Sequence, residues 1–329
     1  MHELQTRFAL SELAQVLELS RSGFAAHEQK DQRPRRQADQ QIKSRLQLAF
    51  AQSRHTYGSP RLQIHLQREG YRCGKNRIGR LMRELGLRPK QKRRFRPQTT
   101  QTDPRQPAAE NWLAKVPSPS RPDQIWLSDI TYIPTGEGWL YLAATLDACS
   151  RKCVGYFIDD SLETHLVTEA WTRAQNNRRP GPGLLHHSDR GIQYASSRFV
   201  RLLRQSQSTP SMSRAANPYD NAMMESFFAT LKTECLAGST PLTKTQAKRM
   251  VFDYIETFYN PRRLHSALDY QSPVEFENQF NQHPSPWGNP IRNATQRRQG
   301  GGGGAGSGAE PQISNTRPTH SLTHSLTHT

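Results

Sequence analysis

Three carboxylates stand where their side chains could do chemistry together. Asp129 interrupts the apolar run IWLSDITYI, Asp189 closes LLHHSD, and Glu225 lies in NPYDNAMMESFFATLK. A carboxylate in an apolar strand is costly unless it is protonated, paired with a cation or bound to metal. Singly, each acid has an ordinary explanation. Asp129 could pair with one of the many arginines. Asp189 could cap a strand-end turn, helped by Gly191. Glu225 could be an exposed helix charge beside Lys232 or Arg214. Together they read differently, because 35 residues separate Asp189 from Glu225 and the three can converge. Converging carboxylates repel unless cations lie between them, and oxygen-only ligands favour Mg²⁺ or Mn²⁺. Two such ions about 4 Å apart are the usual apparatus for in-line attack at phosphate.

The elements that must position these acids follow from hydrophobic patterning. Residues 125–133, 139–150 and 152–160 read as three strands joined tightly. Residues 162–176 form an amphipathic helix through Leu166, Val167, Ala170 and Trp171. A short strand at 184–189, a helix at 196–206, an edge strand at 211–213 and helices at 221–236 and 243–259 complete the order. The sequence β-β-β-α-β-α-β-α resembles the ribonuclease H architecture, an α/β fold of three antiparallel strands followed by parallel strands with crossover helices. Its first and fourth strands are neighbours. That arrangement sets Asp129 beside Asp189 and brings Glu225 in from a packed helix.

The front of the chain has another character. Of 45 Lys and Arg, 24 fall in residues 1–120, against 10 of the 28 acids. Residues 75–96 hold ten basic residues and one acid, Glu84. Such a concentration points to a polyanion. Residues 10–28 read as two short helices, either a helix-turn-helix or a plain helical hairpin, with Ser20 as a candidate N-cap. Residues 29–40 read as a linker. A helical block follows, through Ile42, Leu46 and Phe50, then Leu62, Ile64 and Leu66, then Ile78, Leu81, Met82 and Leu85, stopped by Gly86. On the last helix Lys75, Arg77, Arg80 and Arg83 occupy the other faces, as a groove-reading helix requires. Arg93 and Arg94 continue the basic run and would track phosphates.

The domains expected are 1–30, helical; 40–96, a basic helix-turn-helix; 97–120, a Gln/Thr/Pro/Ser-rich linker; 121–280, the catalytic core; and 281–329, a disordered tail. That tail holds the Gly-rich tract 300–308 and a THSL repeat, read as a remnant outside the fold. No run of about 18 apolar residues exists, so no membrane span is expected, and the N-terminus lacks a signal-peptide layout. Cys73, Cys149, Cys153 and Cys235 form no C-x-x-C pair, which fits a reduced cytoplasmic setting.

The stretches WLSDITYIPTGEGWLYLAATLDACSR, LLHHSDRGIQYAS, SMSRAANPYDNAMMESFFATLKTE and YNPRRLHSALDYQSPVEF fall in order across residues 121–280. In register with the 35-residue spacing, they resemble the catalytic core of DDE transposases and retroviral-type integrases. Within these they are most similar to the second-frame protein of the IS-three family of bacterial insertion sequences. HTYGSPRLQIHLQREGYRCGKNRIGRLMRELGL resembles the helix-turn-helix that precedes the core in that family. The resemblance implies that Asp129, Asp189 and Glu225 are the catalytic, metal-binding triad. It matches Lys232, seven residues after Glu225 and on its face, to a phosphate-holding position. Asn217, Asp220 and Asn221 match a polar turn that opens the glutamate helix, with Asp220 a candidate N-cap. His187 matches a supporting position, where a structural histidine would serve equally. Departures exist: Ala215 and Ala216 stand where a glycine is more frequent, Ser128 replaces a common threonine, and HEQK ends the first helix pair. None removes a ligand.

The resemblance further implies a DNA transposase catalytic subunit in the bacterial cytoplasm, associated with the nucleoid. It would use two Mg²⁺ (or Mn²⁺) ions to cleave element ends and transfer strands in double-stranded DNA. It would act as a homo-oligomer on DNA, with a first-frame protein supplied by another frame and no membrane partner. The rival readings are a plain ribonuclease H-type nuclease and an inactive DNA-binding regulator.

Overall fold

In a computed structural model of the chain, the described residues are 15–16, 20, 22, 34–90, 109–213, 221–238 and 242–282. Most of the expected first helix pair lies outside them, as do Arg93, Arg94, Asn217, Asp220 and the tail from residue 283. Three helices open the continuous part: α1 (Pro34–Gln52), α2 (Ser59–Arg68) and α3 (Lys75–Glu84). The linker expected over 29–40 is thus helical from Pro34. Proline suits a first helical turn because its missing N–H has no partner there. Residues 34–41 carry no apolar stripe for periodicity to detect. A polar clamp holds them instead, since buried Asp39 accepts hydrogen bonds from Arg77 Nε and Arg80 Nη2, both at 2.7 Å. Beyond it Ile42, Leu46, Phe50, Leu62, Leu66, Ile78, Leu81 and Met82 are all buried, as their spacing predicts. Gly86, at φ +66°, ends the last helix.

Five strands form one mixed sheet: β1 (Ile125–Thr135), β2 (Gly138–Asp147), β3 (Cys153–Asp159), β4 (Leu185–Ser188) and β5 (Thr209–Met212), in the order β3-β2-β1-β4-β5. The first three pair antiparallel, whereas β4 runs parallel to both β1 and β5. Helix α4 (Thr164–Arg178) crosses from β3 to β4, and α5 (Ile192–Ala195) and α6 (Ser197–Gln205) cross from β4 to β5. This is the expected ribonuclease H-like architecture behind a small helical block.

Helices cover both faces of the sheet. On one, Leu166, Val167, Ala170, Trp171 and Ala174 of α4 pack with Trp126, Ala143 and Val154. The approach is close at Gly155, where a Cβ would lie 2.5 Å from Ala170 O and Ala174 N. The other face is covered by α7 (Ala222–Leu231), which continues as a π-helical turn over Lys232–Leu236, and by α8 (Lys244–Asp253), which does likewise over Tyr254–Tyr259. Met224, Phe227, Phe228, Leu231, Val251, Tyr254 and Ile255 meet Leu127, Ile133, Leu140 and Leu142, and the α1–α3 core is continuous with this layer. A last helix, α9 (Pro273–Gln282), was not apparent from the polar sequence PVEFENQFNQ.

The helical block is joined to the segment between α8 and α9 and to the π-helical turn after α7. Tyr57 Oη donates to Arg262 O at 3.1 Å and accepts from Leu264 N–H at 2.8 Å. Arg61 Nε donates to Leu264 O at 2.9 Å, and Lys90 Nζ to Glu234 O at 2.7 Å. Arg263 and Glu234, both buried, form a bidentate pair at 2.8 Å on each arm. Among the described residues no helix is long and apolar enough to cross a membrane. All four cysteines are free and buried.

Candidate active site

The parallel ladder between β1 and β4 ends at Ser128 opposite Ser188, so Asp129 and Asp189 are the next residues of two neighbouring strands. Both are half-buried. Asp129 Oδ1 accepts from Ile130 N–H at 2.7 Å. Asp189 Oδ1 accepts from Gly191 N–H at 2.9 Å, the turn cap its position suggested. A Cβ at residue 191 would come within 3.0 Å of that same oxygen, so glycine lets the turn close on the carboxylate. Glu225 is exposed in the first turn of α7, where the positive end of the helix favours an anion.

The electrostatics tie these residues together. The Asp129 carboxyl is held well above the usual carboxylate range, first by burial and then by the charges of Asp189 and Glu225; the Ile130 N–H and the Asn221 side chain oppose the rise. Lys232 is half-buried at the start of the π-helical turn. Burial lowers its pKa and the Asp129 charge raises it, so the ammonium is within electrostatic range of Asp129 despite the change of helical pitch. Asn221 is the N-cap residue of α7 but makes no side-chain cap bond. Its Oδ1 is buried without a hydrogen-bond partner.

Among the described residues no three His, Cys, Asp or Glu side chains gather closely enough to form a ready metal cluster. What is assembled is an aspartate pair, with Glu225 within electrostatic range and an orphan amide oxygen beside them. Every donor is oxygen, which suits a hard divalent cation rather than zinc or copper.

Sequence reasoning missed two residues here. Tyr194 is buried, its hydroxyl lacks a hydrogen-bond partner, and its pKa is pushed well up by burial and by the charges of Asp129 and Asp189. Its place in GIQYAS, directly after Asp189, was the available signal. His186 is buried with Nε2 at 2.9 Å from Ser128 Oγ, which in turn lies 2.9 Å from Thr145 Oγ1, a polar chain across three strands. Burial takes the His186 pKa down to about 3, helped by His187. His187 itself is a staple, with Nδ1 2.9 Å from Ser211 Oγ and Nε2 3.0 Å from Ser213 Oγ, binding β4 to the edge strand and its continuation.

The DNA-facing candidates divide. Lys75 and Arg83 are exposed on α3. Arg77 and Arg80 are tied to Asp39 at 2.6 and 2.7 Å, and Arg80 also to Glu84 at 2.6 Å.

Comparison with known proteins gives matches along the same stretches. The family described as Integrase core domain matches residues 119–218, a second Integrase core domain family matches 225–280, and the HTH-like domain family matches 37–95. The chain is 40% identical over 270 residues to the insertion element IS600 uncharacterized 31 kDa protein of Shigella sonnei, spanning 82% of this chain and 99% of that one. It is 39% identical over 244 residues to the transposase for insertion sequence element IS904 of Lactococcus lactis, 74% and 96% of the two chains. With the transposase InsF for insertion sequence IS3A of Escherichia coli it shares 36% over 276 residues, 83% and 96%. Among solved structures, a chain of the simian T-cell lymphotropic virus intasome aligns over 72% of this chain and 74% of its own at TM-score 0.42 and 14% identity, and the sequence relatives carry the assignment.

Proposed function

The chain belongs to the IS-three family of insertion-sequence transposases, whose chemistry is DNA transposition and integration, and we propose that its own reaction is cleavage of element ends and their transfer to target DNA at Asp129, Asp189 and Glu225. The observation that carries the proposal is the pair of aspartates standing just past the last paired residues of the parallel β1–β4 ladder, where the charges of Asp189 and Glu225 both raise the Asp129 pKa. An acid that burial and like charge make costly to ionise is the kind a bound cation would relieve.

The three carboxylates, with Asn221 Oδ1 at hand, would hold Mg²⁺ or Mn²⁺. A pair of such ions bound there would polarise the scissile phosphate and lower the pKa of the attacking water. Lys232 offers an ammonium for a phosphate oxygen beside Asp129. Ile130 N–H and Gly191 N–H each hold one oxygen of an aspartate and so fix the two carboxylates in place. Asn221 holds Asp129 from the side of α7. In the first step a water oxygen bonds to phosphorus and the 3′-oxygen leaves, taking up a proton. In the second that 3′-hydroxyl loses its proton, bonds to a target phosphorus and displaces another 3′-oxygen. Both are in-line displacements at one site, and neither needs a covalent protein–DNA intermediate.

Lys75 and Arg83, with Arg93 and Arg94 beyond them, would hold DNA phosphates. Arg77 and Arg80 would act by bracing α3 against α1. Assembly as a homo-oligomer on paired ends, a first-frame partner, and residence at the nucleoid of a bacterial cytoplasm complete the proposal. The test is strand cleavage of labelled DNA carrying the genomic flanks of this reading frame. Nicking at the element boundary with Mg²⁺, abolished by EDTA, is expected. Metal-independent cleavage, or binding without any cleavage, would overturn it.

A further inference from the structure

The stretch YNPRRLHSALDY, residues 259–270, supplies none of the three carboxylates. Its Arg263 and His265 instead meet two arginines from distant parts of the chain. Arg263 Nη1 lies 3.5 Å from His265 Nε2, and the His265 ring meets Tyr259 edge to face at 5.1 Å. Arg61 comes from α2, and its Nε donates at 2.9 Å to Leu264 O, between Arg263 and His265 in sequence. Arg151 comes from the turn between β2 and β3, where its carbonyl accepts from Tyr259 Oη at 3.0 Å. Arg61, Arg151 and His265 each keep part of their surface in solvent.

The charges of this cluster do not balance. Arg263 has its carboxylate in Glu234. Among the described residues Arg61 and Arg151 have no carboxylate at ion-pair distance. Arg61 lies over the Tyr57 ring at 5.6 Å, and Arg151 Nε is buried with no hydrogen-bond partner. Asp147, the acid of the same turn as Arg151, is taken up by the N–H groups of Asp123, Cys149 and Ser150, and burial pushes its pKa up to about 6. The arginines act at a common point: His265 is held well below its ordinary pKa by burial, then by Arg263, Arg61 and Arg151. Arg151 also stands at φ +63°, a left-handed position that glycine takes with less strain, so the chain keeps a long cation there at a conformational cost.

A buried guanidinium without a partner is costly, and a bound anion relieves that cost. The arginine fork matches phosphate and carboxylate alike. Position favours phosphate. Helix α2, which carries Arg61, shares its core with α3, the helix that exposes Lys75 and Arg83. On the other side Arg263 is bonded to Glu234, two residues after Lys232. The cluster thus joins the two parts of the chain read as holding DNA phosphates. We propose that Arg61 and Arg151, with His265, form a binding site for a backbone phosphate of DNA at the junction of the helical block and the core. The proposal rests on the reading of the chain as a DNA-cleaving transposase.

The test uses the full chain and duplex DNA carrying the genomic flanks of its reading frame. Arg61→Gln and Arg151→Gln should each lower the slope of log affinity against log salt by about 0.9, and Arg151→Lys should keep the wild-type slope. Without DNA, Arg151→Gln should melt no lower than wild type, because it removes a cation that has no partner in the chain. In a set of duplexes that each carry a single uncharged methylphosphonate, one position should weaken binding of the wild type and leave binding of Arg151→Gln unchanged. A lower Tm with an unchanged salt slope in both glutamine variants would overturn the site and make the arginines structural. Inorganic phosphate that raises the wild-type Tm at fixed ionic strength, with the slopes unchanged, would overturn the DNA assignment in favour of a free anion. Glutamine variants that lose only self-association in sedimentation would overturn it in favour of a carboxylate from a second copy. A chain that cleaves, with unchanged slopes in both variants, refutes this site alone. A chain whose variants lose slope but which never cleaves supports the site and refutes the transposition reading.

Discussion

At Asp129 burial and two neighbouring negative charges outweigh the hydrogen bonds that favour ionisation. Its proton is therefore held more tightly in the folded chain than in the unfolded one. Linkage fixes the sign: without metal, stability falls as pH rises from the ordinary carboxylate range through the raised folded value. Asp129→Asn removes that penalty. In EDTA near pH 7 the variant should melt higher than wild type. Mg²⁺ should raise the wild-type Tm and leave the variant unchanged. Melting scans of both chains at fixed ionic strength check this, and identical, metal-independent melting in both would contradict it. The same residues show what sequence can convey. The acids stood out because a charge in an apolar run is anomalous. His187 between serines on a neighbouring strand has the same sequence signature as a site histidine, and only the 2.9 and 3.0 Å contacts to Ser211 and Ser213 mark it as a staple. Tyr194 carried only its nearness to Asp189, because a buried tyrosine looks ordinary until its hydroxyl is seen to lack a partner.

Among the elements, β1, β2 and β3 were legible because each is bounded by turn residues and largely apolar along its length. The start of α1 and all of α9 were not, because polar contacts such as Asp39 with Arg77 and Arg80 hold such segments, and periodicity does not register them. Gly155 is another element-scale feature hidden in the sequence. A methyl there would strike the backbone of α4 at 2.5 Å, and no rotamer can relieve a clash with backbone. Gly155→Ala should cost about 1–3 kcal/mol, read as a lower denaturant midpoint; an unchanged midpoint would show that α4 can retreat freely. Helix α3 divides its basic residues into exposed ones, Lys75 and Arg83, and ion-paired ones, Arg77 and Arg80. Charge reversal at Lys75 or Arg83 should lower the slope of log affinity for DNA against log salt by about 0.9 for each phosphate left without its cation. Reversal at Arg77 or Arg80 should instead lower the melting temperature, because it sets like charges against Asp39. Salt titrations and melts of the four variants distinguish the two behaviours, and equal slopes for all four would contradict the division.

On the scale of the whole molecule, the basic helical block is fastened to the core through Tyr57, Arg61 and Lys90, and this junction centres on the buried Glu234–Arg263 pair. Glu234 stands two residues after Lys232 in the same π-helical turn, so one short segment borders the acidic site and anchors the basic helical block. Sequence could show both ends of that link but not the link, since partners more than 140 residues apart, such as Lys90 and Glu234, leave no local pattern. Arg263→Ala would strand Glu234 as an unpaired buried charge and should cost about 3–5 kcal/mol, seen as a large fall in Tm. A fall of less than a degree would mean that the junction is dispensable. The central claim, that Asp129, Asp189 and Glu225 act as one metal-dependent DNA-cleaving site, is tested most directly by single amide variants on labelled DNA carrying the genomic flanks. With Mg²⁺ present, Asp129→Asn, Asp189→Asn and Glu225→Gln should each bind that DNA as wild type does and each fail to cleave it. A variant that cleaves at the wild-type rate would contradict the account.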